Sequence, residues 1–251
     1  MDEPLRFQQI LGIRFLVGNA QNVVDQIVRD RGLVVVPSAP GLRTLPFDKL
    51  YRDALLGADF AITDSMLMVL LWNLLQADRV PRISGLSYVR ALIKRTEFCQ
   101  AGRSFWVMPR AASARRNSDW LNANGVQVSE SDIYVAPMYG KSVADPELLR
   151  RLRERRPHHV VLCVGSGIQE PLGFYLKQHL DYTPAIHCVG AAIAFLSGDQ
   201  VGIPIWVDRF GLGWLWRVFS NPFQYGPRYW EALHLVSLLL RYRDRIPIPS
   251  S

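Results

Sequence analysis

Three short stretches carry side chains whose types and spacing suit chemistry. The first is Ala58-Asp59-Phe60-Ala61-Ile62-Thr63-Asp64-Ser65. Phe60 to Ile62 is the brief apolar run of a buried strand. Thr63, Asp64 and Ser65 are residue types that start helices, and Met66 to Leu75 is almost wholly apolar with no Gly or Pro. The order is strand, carboxylate, helix. Ligands of open α/β sheets gather at the carboxyl ends of strands, so Asp64 is the candidate catalytic residue, a carboxylate placed to take a proton. An Asp at a helix start is also an ordinary cap, and on spacing alone that role is the commoner one. The second stretch is Gly165-Ser166-Gly167-Ile168-Gln169-Glu170. Its backbone N–H groups and the Gln169 amide suit phosphate or hydroxyl groups. Glycine is common in any strand-to-helix turn, and Gln169 and Glu170 also suit a plain helix start. The third spaced glycine of a dinucleotide fingerprint is missing. The third stretch, Pro37-Ser38-Ala39-Pro40, closes the apolar run Leu33–Val36 with polar groups at its mouth.

These stretches need a frame, and the hydrophobic pattern supplies one. One or two short strands fall within residues 7–18. Asn19 caps a helix running to about Arg31, which buries Val23, Val24, Ile27 and Val28 and ends at Gly32. Strands follow at 33–36, 60–62, 104–108, 133–136, 159–164 and 185–189. Helices are expected at 47–56, 66–75, 86–95, after the 104–108 strand to about 124, and at 147–156 behind Asp145-Pro146. Strand and helix alternate, which predicts a largely parallel sheet with helices on both faces. A last helix is expected over 231–243, with a loose tail from Ile246.

The chain has 251 residues, nearly half of them apolar, which suits a folded α/β core. Its formal charge of +7 favours an anionic partner. Three cysteines without CxxC spacing argue for a reducing compartment and against zinc. The five histidines lack ligand spacing, and His187, in an apolar strand, reads as a core residue with a satisfied nitrogen. The arginine run 150–156 reads as a solvated helix face. The first dozen residues lack a signal-peptide core, and the longest apolar run is too short to span a bilayer.

Past Gly198 the texture changes. Trp206, Trp214, Trp216, Phe219, Phe223, Tyr225, Tyr229 and Trp230 mingle with Arg209, Arg217 and Arg228. The string Arg209-Phe210-Gly211-Leu212-Gly213-Trp214-Leu215-Trp216-Arg217, with Pro222 after it, resembles the signature of the WecG/TagA/CpsF family of bacterial glycosyltransferases, glycosyltransferase family twenty-six. The resemblance runs from about residue 10 to 230. Asp64 falls on the family's Asp after an Ala-Asp strand, and Arg82 and Gly85 on its Arg-x-x-Gly-x-Asp segment. Gly165-Ser166 with Gln169-Glu170 falls on its Gly-Ser-Pro-x-Gln-Glu loop, and residues 190–198 on its Gly-rich segment.

The resemblance implies a Rossmann-like α/β core over residues 1–200 and a C-terminal helical appendage over 201–251 that meets the membrane. It implies inverting transfer from a UDP-sugar to a polyprenyl-diphosphate-linked glycan in cell-envelope or exopolysaccharide synthesis. Asp64 would be the general base. Arg209, Arg217 and Arg228, with helix N-termini, would stabilise the leaving UDP, while Ser38, Arg82, Gly165, Ser166 and Gln169 would bind substrate. No cofactor is expected, and with no DxD pair, no metal. The expected location is cytoplasmic, peripheral on the inner face of the cell membrane, with no nucleic-acid partner and homo-oligomerisation left open. Ser87, Ala194 and Gly213 depart from the family pattern, as do Val36-Pro37-Ser38 and Met108-Pro109-Arg110. The alternative is a non-catalytic nucleotide-sugar-binding or scaffold homologue.

Overall fold

The computed structural model describes residues 5–140, 142–200, 204, 207, 212–220 and 222–247; the side chains of 214, 217, 222, 224, 225, 228 and 229 fall outside that description. The chain opens with a hairpin, β1 (Arg6–Ile10) and β2 (Ile13–Val17). Its two-residue turn holds Leu11 at φ 51° and Gly12 at φ 78°, the positive values that a tight hairpin turn needs. There follow α1 (Ala20–Asp30), β3 (Gly32–Val35), α2 (Ala39–Leu42), α3 (Lys49–Leu56), β4 (Phe60–Ala61), α4 (Met66–Leu75), α5 (Gly85–Leu92), α6 (Thr96–Cys99) and β5 (Ser104–Met108). Then come α7 (Ala111–Ala123), β6 (Ile133–Val135), α8 (Pro146–Arg155), β7 (His159–Leu162), α9 (Gln169–His179), β8 (Ala185–Cys188) and α10 (Ala192–Ser197). The C-terminal helices are α11 (Gly213–Ser220), α12 (Pro222–Ala232) and α13 (His234–Tyr242).

The eight strands form one sheet in the order β1-β2-β4-β3-β8-β7-β5-β6, parallel except for β1. From β3 the chain steps outward to β4, crosses to β5 and β6, and returns inward through β7 and β8. The ends of β4, β3, β8 and β7 therefore share one rim. Side chains alternate between two apolar layers. Val35, Val160, Leu162 and Ile186 pack with Leu148, Leu152, Leu172 and Leu176 of α8 and α9, and with Met68, Val69 and Trp72 of α4. Val34, Trp106, Met108 and Val161 pack with Val23 and Ile27 of α1, Val89 and Leu92 of α5, and Leu121 of α7. This is the α/β fold expected, with helices on both faces.

Three local readings change. The break after α1 falls on Arg31 at φ 59°, while Gly32, at φ 104°, opens β3. A Cβ at Gly32 would stand 2.4 Å from Oδ2 of Asp59, which accepts from the Leu33 N–H at 2.7 Å. The single helix expected over 231–243 is two helices that break at Leu233. The tail is docked rather than loose as far as Pro247. Leu11 and Gly12 donate to the Arg243 and Asp244 carbonyls at 2.7 and 2.8 Å, and Ile246 packs against Gly12. The remaining tail residues lie outside the described residues. Leu235 and Leu239 of α13 join the first apolar layer.

The arginine run is the solvated face expected. Arg150 bonds Glu147 and Glu154, Arg151 bonds Glu147, Arg155 bonds Asp132 and Arg156 bonds Asp181. His187 is the core residue expected. Its Nδ1 lies 2.7 Å from the Tyr88 hydroxyl and its Nε2 lies 3.1 Å from Nδ1 of His159. The far nitrogen of His159 is buried without a partner. Burial pushes His159 down to about 4, Glu97 opposing and His158, Arg31 and Arg103 adding to the shift.

The neutral ring is thus the form that the fold favours. Its contribution is complete above the unfolded value near 6.5 and is lost as pH falls through about 4. His159→Asn should flatten the stability–pH profile across that window by about 3 kcal/mol relative to the parent, each tenfold change in proton affinity being worth about 1.4 kcal/mol. Urea titrations at stepped pH measure it, and parallel profiles would refute the assignment.

Candidate active site

Asp64 leaves β4 at the sheet rim, and it is not the cap of α4. That role belongs to Ser65, whose hydroxyl accepts from the Met68 N–H at 3.2 Å. The Asp64 carboxylate instead reaches across the chain. Its Oδ1 accepts from the N–H of Gly85, the first residue of α5, at 2.9 Å, and lies 3.7 Å from an Arg82 guanidinium nitrogen. Arg82 Nε donates to the Asp64 carbonyl at 2.8 Å. The carboxylate stays 26% exposed. An amide at a helix N-terminus and a guanidinium both stabilise its negative charge, the form that can accept a proton.

Ser38 ends the β3 exit at the N-cap position of α2, but its side chain makes no cap bond, and its Oγ is buried without a partner. Beneath α2 stands Tyr51 of α3, 1% exposed, its hydroxyl also unpartnered. Burial pushes that hydroxyl well above its usual range, with Glu170 adding to the shift, so it stays protonated. Gly41 is what lets the ring fit: a Cβ there would lie 2.3 Å from the hydroxyl oxygen and 3.0 Å from the ring.

Gly165, Ser166 and Gly167 are exposed at the β7 rim. Gln169, 3% exposed, joins two rim loops. Its Oε1 accepts from the Gly190 N–H at 2.7 Å, and its Nε2 donates to Glu170 Oε1 at 3.1 Å and to the Cys188 carbonyl at 3.3 Å. Its amide is thus engaged within the protein, while Ser166 faces solvent. Between β4 and β7 lie β3 and β8, a separation of about 14 Å at ordinary strand spacing. A ligand touching both Asp64 and Ser166 must be elongated.

The C-terminal segment returns to this rim. Val207 and Trp216 pack on Leu86, the neighbour of Gly85. Arg43, beside α2, pairs with Glu231 of α12. Arg209 lies outside the described residues. Arg217 and Arg228 fall in α11 and α12, with side chains outside the description.

The sequence model of the glycosyl transferase WecG/TagA/CpsF family matches residues 8–247. The chain belongs to this family. Membership makes it a glycosyltransferase of cell-envelope glycan synthesis, using in general a nucleotide-sugar donor and a lipid-linked acceptor. No curated protein matches the sequence. Among the described residues no helix is long and apolar enough to cross a membrane.

The departure at Ser87 has a local explanation. Ser84 caps α5 by accepting from the Ser87 N–H at 3.0 Å, and Ser87 donates to the Ser84 carbonyl at 2.8 Å. An acid at that third helical position would complete a capping box, so its replacement bears on the helix start and leaves the Asp64 clamp in place. Tyr51 and Glu170 were not among the residues expected to bind. Tyr51 shows only as an apolar position of a short helix, and the Glu170 carboxylate matters only because the fold buries it completely.

The packing of Tyr51 under Gly41 is testable on stability alone. Gly41→Ala should cost about 1–3 kcal/mol through overpacking. Adding Tyr51→Phe, which removes the oxygen that the new methyl meets, should restore part of that loss. Strictly additive unfolding energies in the double variant would contradict the contact.

Proposed function

We propose that this chain transfers a sugar, with inversion, from a UDP-sugar to a polyprenyl-diphosphate-linked acceptor. Asp64 acts as the general base on the attacking hydroxyl. The observation that carries this reading is the position of its carboxylate: released from capping α4, held by Gly85 and Arg82, and a quarter exposed at the rim. The rim's breadth suits an extended donor. Arg82 at the carboxylate, and Arg209, Arg217 and Arg228 from the C-terminal segment, are the proposed partners of the diphosphate. Charge developing on the leaving group is stabilised by such preplaced cations. Ser38 and Ser166 are the proposed hydroxyl contacts.

Asp64→Asn keeps an oxygen for the Gly85 N–H and removes the proton acceptor. Turnover should fall roughly 10²–10⁴-fold at an unchanged melting temperature. The assay is released UDP, checked by the mass of the product lipid. Undiminished turnover removes Asp64 from the mechanism.

The acceptor's lipid calls for a peripheral membrane contact, and the C-terminal helices carry its chemistry. Phe219, Phe223 and Trp230 are 76%, 93% and 76% exposed, and Leu70 and Leu74 of α4 are 55% and 81% exposed. Arg241, Arg243 and Arg245 are exposed nearby in sequence. Exposed rings and arginines together suit an anionic lipid interface. Replacing Phe223 and Trp230 with serine should lower sedimentation with phosphatidylglycerol-rich vesicles by roughly tenfold without lowering the melting temperature. Retention of full vesicle binding would move the contact elsewhere.

A further inference from the structure

We propose that the Gly165–Gly167 turn presents a hydrogen-bond acceptor, Ser166 Oγ, to a hydroxyl or N–H donor on a neutral part of the ligand, and that Glu170 sets this polarity as a positioning residue. The proposal rests on the UDP-sugar reading above and names the part of the donor that the turn meets.

A glycine-rich turn that binds phosphate turns its N–H groups toward the ligand. Here the N–H groups from Gly167 onward turn inward. Gly167 N–H donates to Glu170 Oε2 at 2.7 Å, and the N–H groups of Ile168 and Gln169 go to the Gly165 carbonyl at 3.2 and 3.1 Å. The Ser166 hydroxyl donates to Glu170 Oε1 at 3.3 Å, where the Gln169 amide also donates at 3.1 Å. Glu170 is fully buried, and among the described residues no Lys or Arg pairs with it. Burial pushes the Glu170 carboxyl above its usual range, the hydrogen bonds from Gly167, Gln169 and Ser166 opposing that shift, so the N-terminus of α9 is already occupied by an acidic side chain of the protein's own.

The consequence for Ser166 is a matter of proton direction. A serine hydroxyl has one proton and two lone pairs. With the proton committed to Glu170, the exposed side of Oγ offers only lone pairs. Behind it stands the buried Tyr51 hydroxyl, a neighbour of both Ser166 and Glu170. It adds no positive charge. The arrangement fits a sugar hydroxyl or acetamido N–H, or a nucleoside hydroxyl or base N–H. A diphosphate has no proton to give.

The test is calorimetric titration of the wild-type chain, Ser166→Ala, Glu170→Gln and the double variant. The probes are UDP, UDP-glucose, UDP-N-acetylglucosamine and inorganic pyrophosphate. Glu170→Gln sets an amide N–H toward Ser166 and turns the serine proton outward. We expect Glu170→Gln and Ser166→Ala each to weaken binding of the recognised probes by about tenfold, the scale of one hydrogen bond. The double variant should match Ser166→Ala alone, which a merely structural role for Glu170 would not produce. Weakening confined to the UDP-sugars places the contact on the sugar; equal weakening of UDP and the UDP-sugars places it on the nucleoside. Unchanged binding of UDP and both UDP-sugars by Ser166→Ala or by Glu170→Gln overturns the proposal, because the outward lone pairs would then meet no donor on the ligand. Further weakening in the double variant also overturns it. If the wild-type chain binds none of the uridine nucleotides, the donor reading itself falls and takes this proposal with it.

Discussion

The clamp on the Asp64 carboxylate is the contact on which the rest of the rim depends. It ties the exit of β4 to the start of α5, across 21 positions of chain. Three further bonds run alongside it. Thr63 Oγ1 donates to the Pro81 carbonyl at 2.7 Å, Ile83 N–H donates to the Thr63 carbonyl at 3.2 Å, and Arg82 holds the Asp64 carbonyl. Thr63–Asp64 and Pro81–Gly85 thus form a short brace past the end of the sheet. Behind it, Tyr88 and Val89 anchor α5 in the core. A carboxylate held this way loses little entropy when a substrate arrives, the usual advantage of a preorganised group.

The same clamp has an electrostatic consequence. Two helices begin at the rim with carboxylates of the protein already at their N-termini, Asp64 at α5 and Glu170 at α9. Helix N-termini, expected to help hold the leaving diphosphate, are therefore partly occupied here. On the proposed reaction that charge falls to guanidinium groups. The chain's surplus of +7 is not spread evenly. Arg150, Arg151, Arg155 and Arg156 pair with Glu147, Glu154, Asp132 and Asp181. The balance of positive charge lies on other segments, the C-terminal helices among them.

Much of the frame was legible because it rests on periodicity and caps. The limits of α4 and β5 follow from uninterrupted apolar runs, and α8 from Asp145-Pro146, where Asp145 accepts from the Leu148 N–H at 2.9 Å. What escaped were relations between distant segments. Nothing local says that Ser65 rather than Asp64 caps α4, because both are capping types and only the Gly85 amide, brought in by the fold, separates them. The buried bridge of Gln169 to Gly190 likewise depends on β7 and β8 being neighbours. The break at Leu233 lies within a leucine-rich stretch whose spacing is continuous, and it was invisible for that reason. The docking of Ile246 needed the position of Gly12, more than two hundred residues earlier.

The place where the C-terminal segment is fastened bears on how water would be kept from a transfer reaction. Its anchors are Leu86, under Val207 and Trp216, and Arg43, opposite Glu231. Leu86 adjoins the amide that holds Asp64, and Arg43 adjoins the α2 turn that begins at Ser38. The segment is thus attached on both sides of the β4–β3 rim rather than at one. On the proposed function, a lipid surface that binds the exposed rings of α11 and α12 would press on elements already joined to both walls of the site. Docking at the membrane and enclosing the donor would then be one mechanical event. A hydrolase has no need of such coupling, whereas a transferase whose acceptor arrives from the bilayer does, because excluding water before the acceptor is in place is what keeps the sugar from being lost.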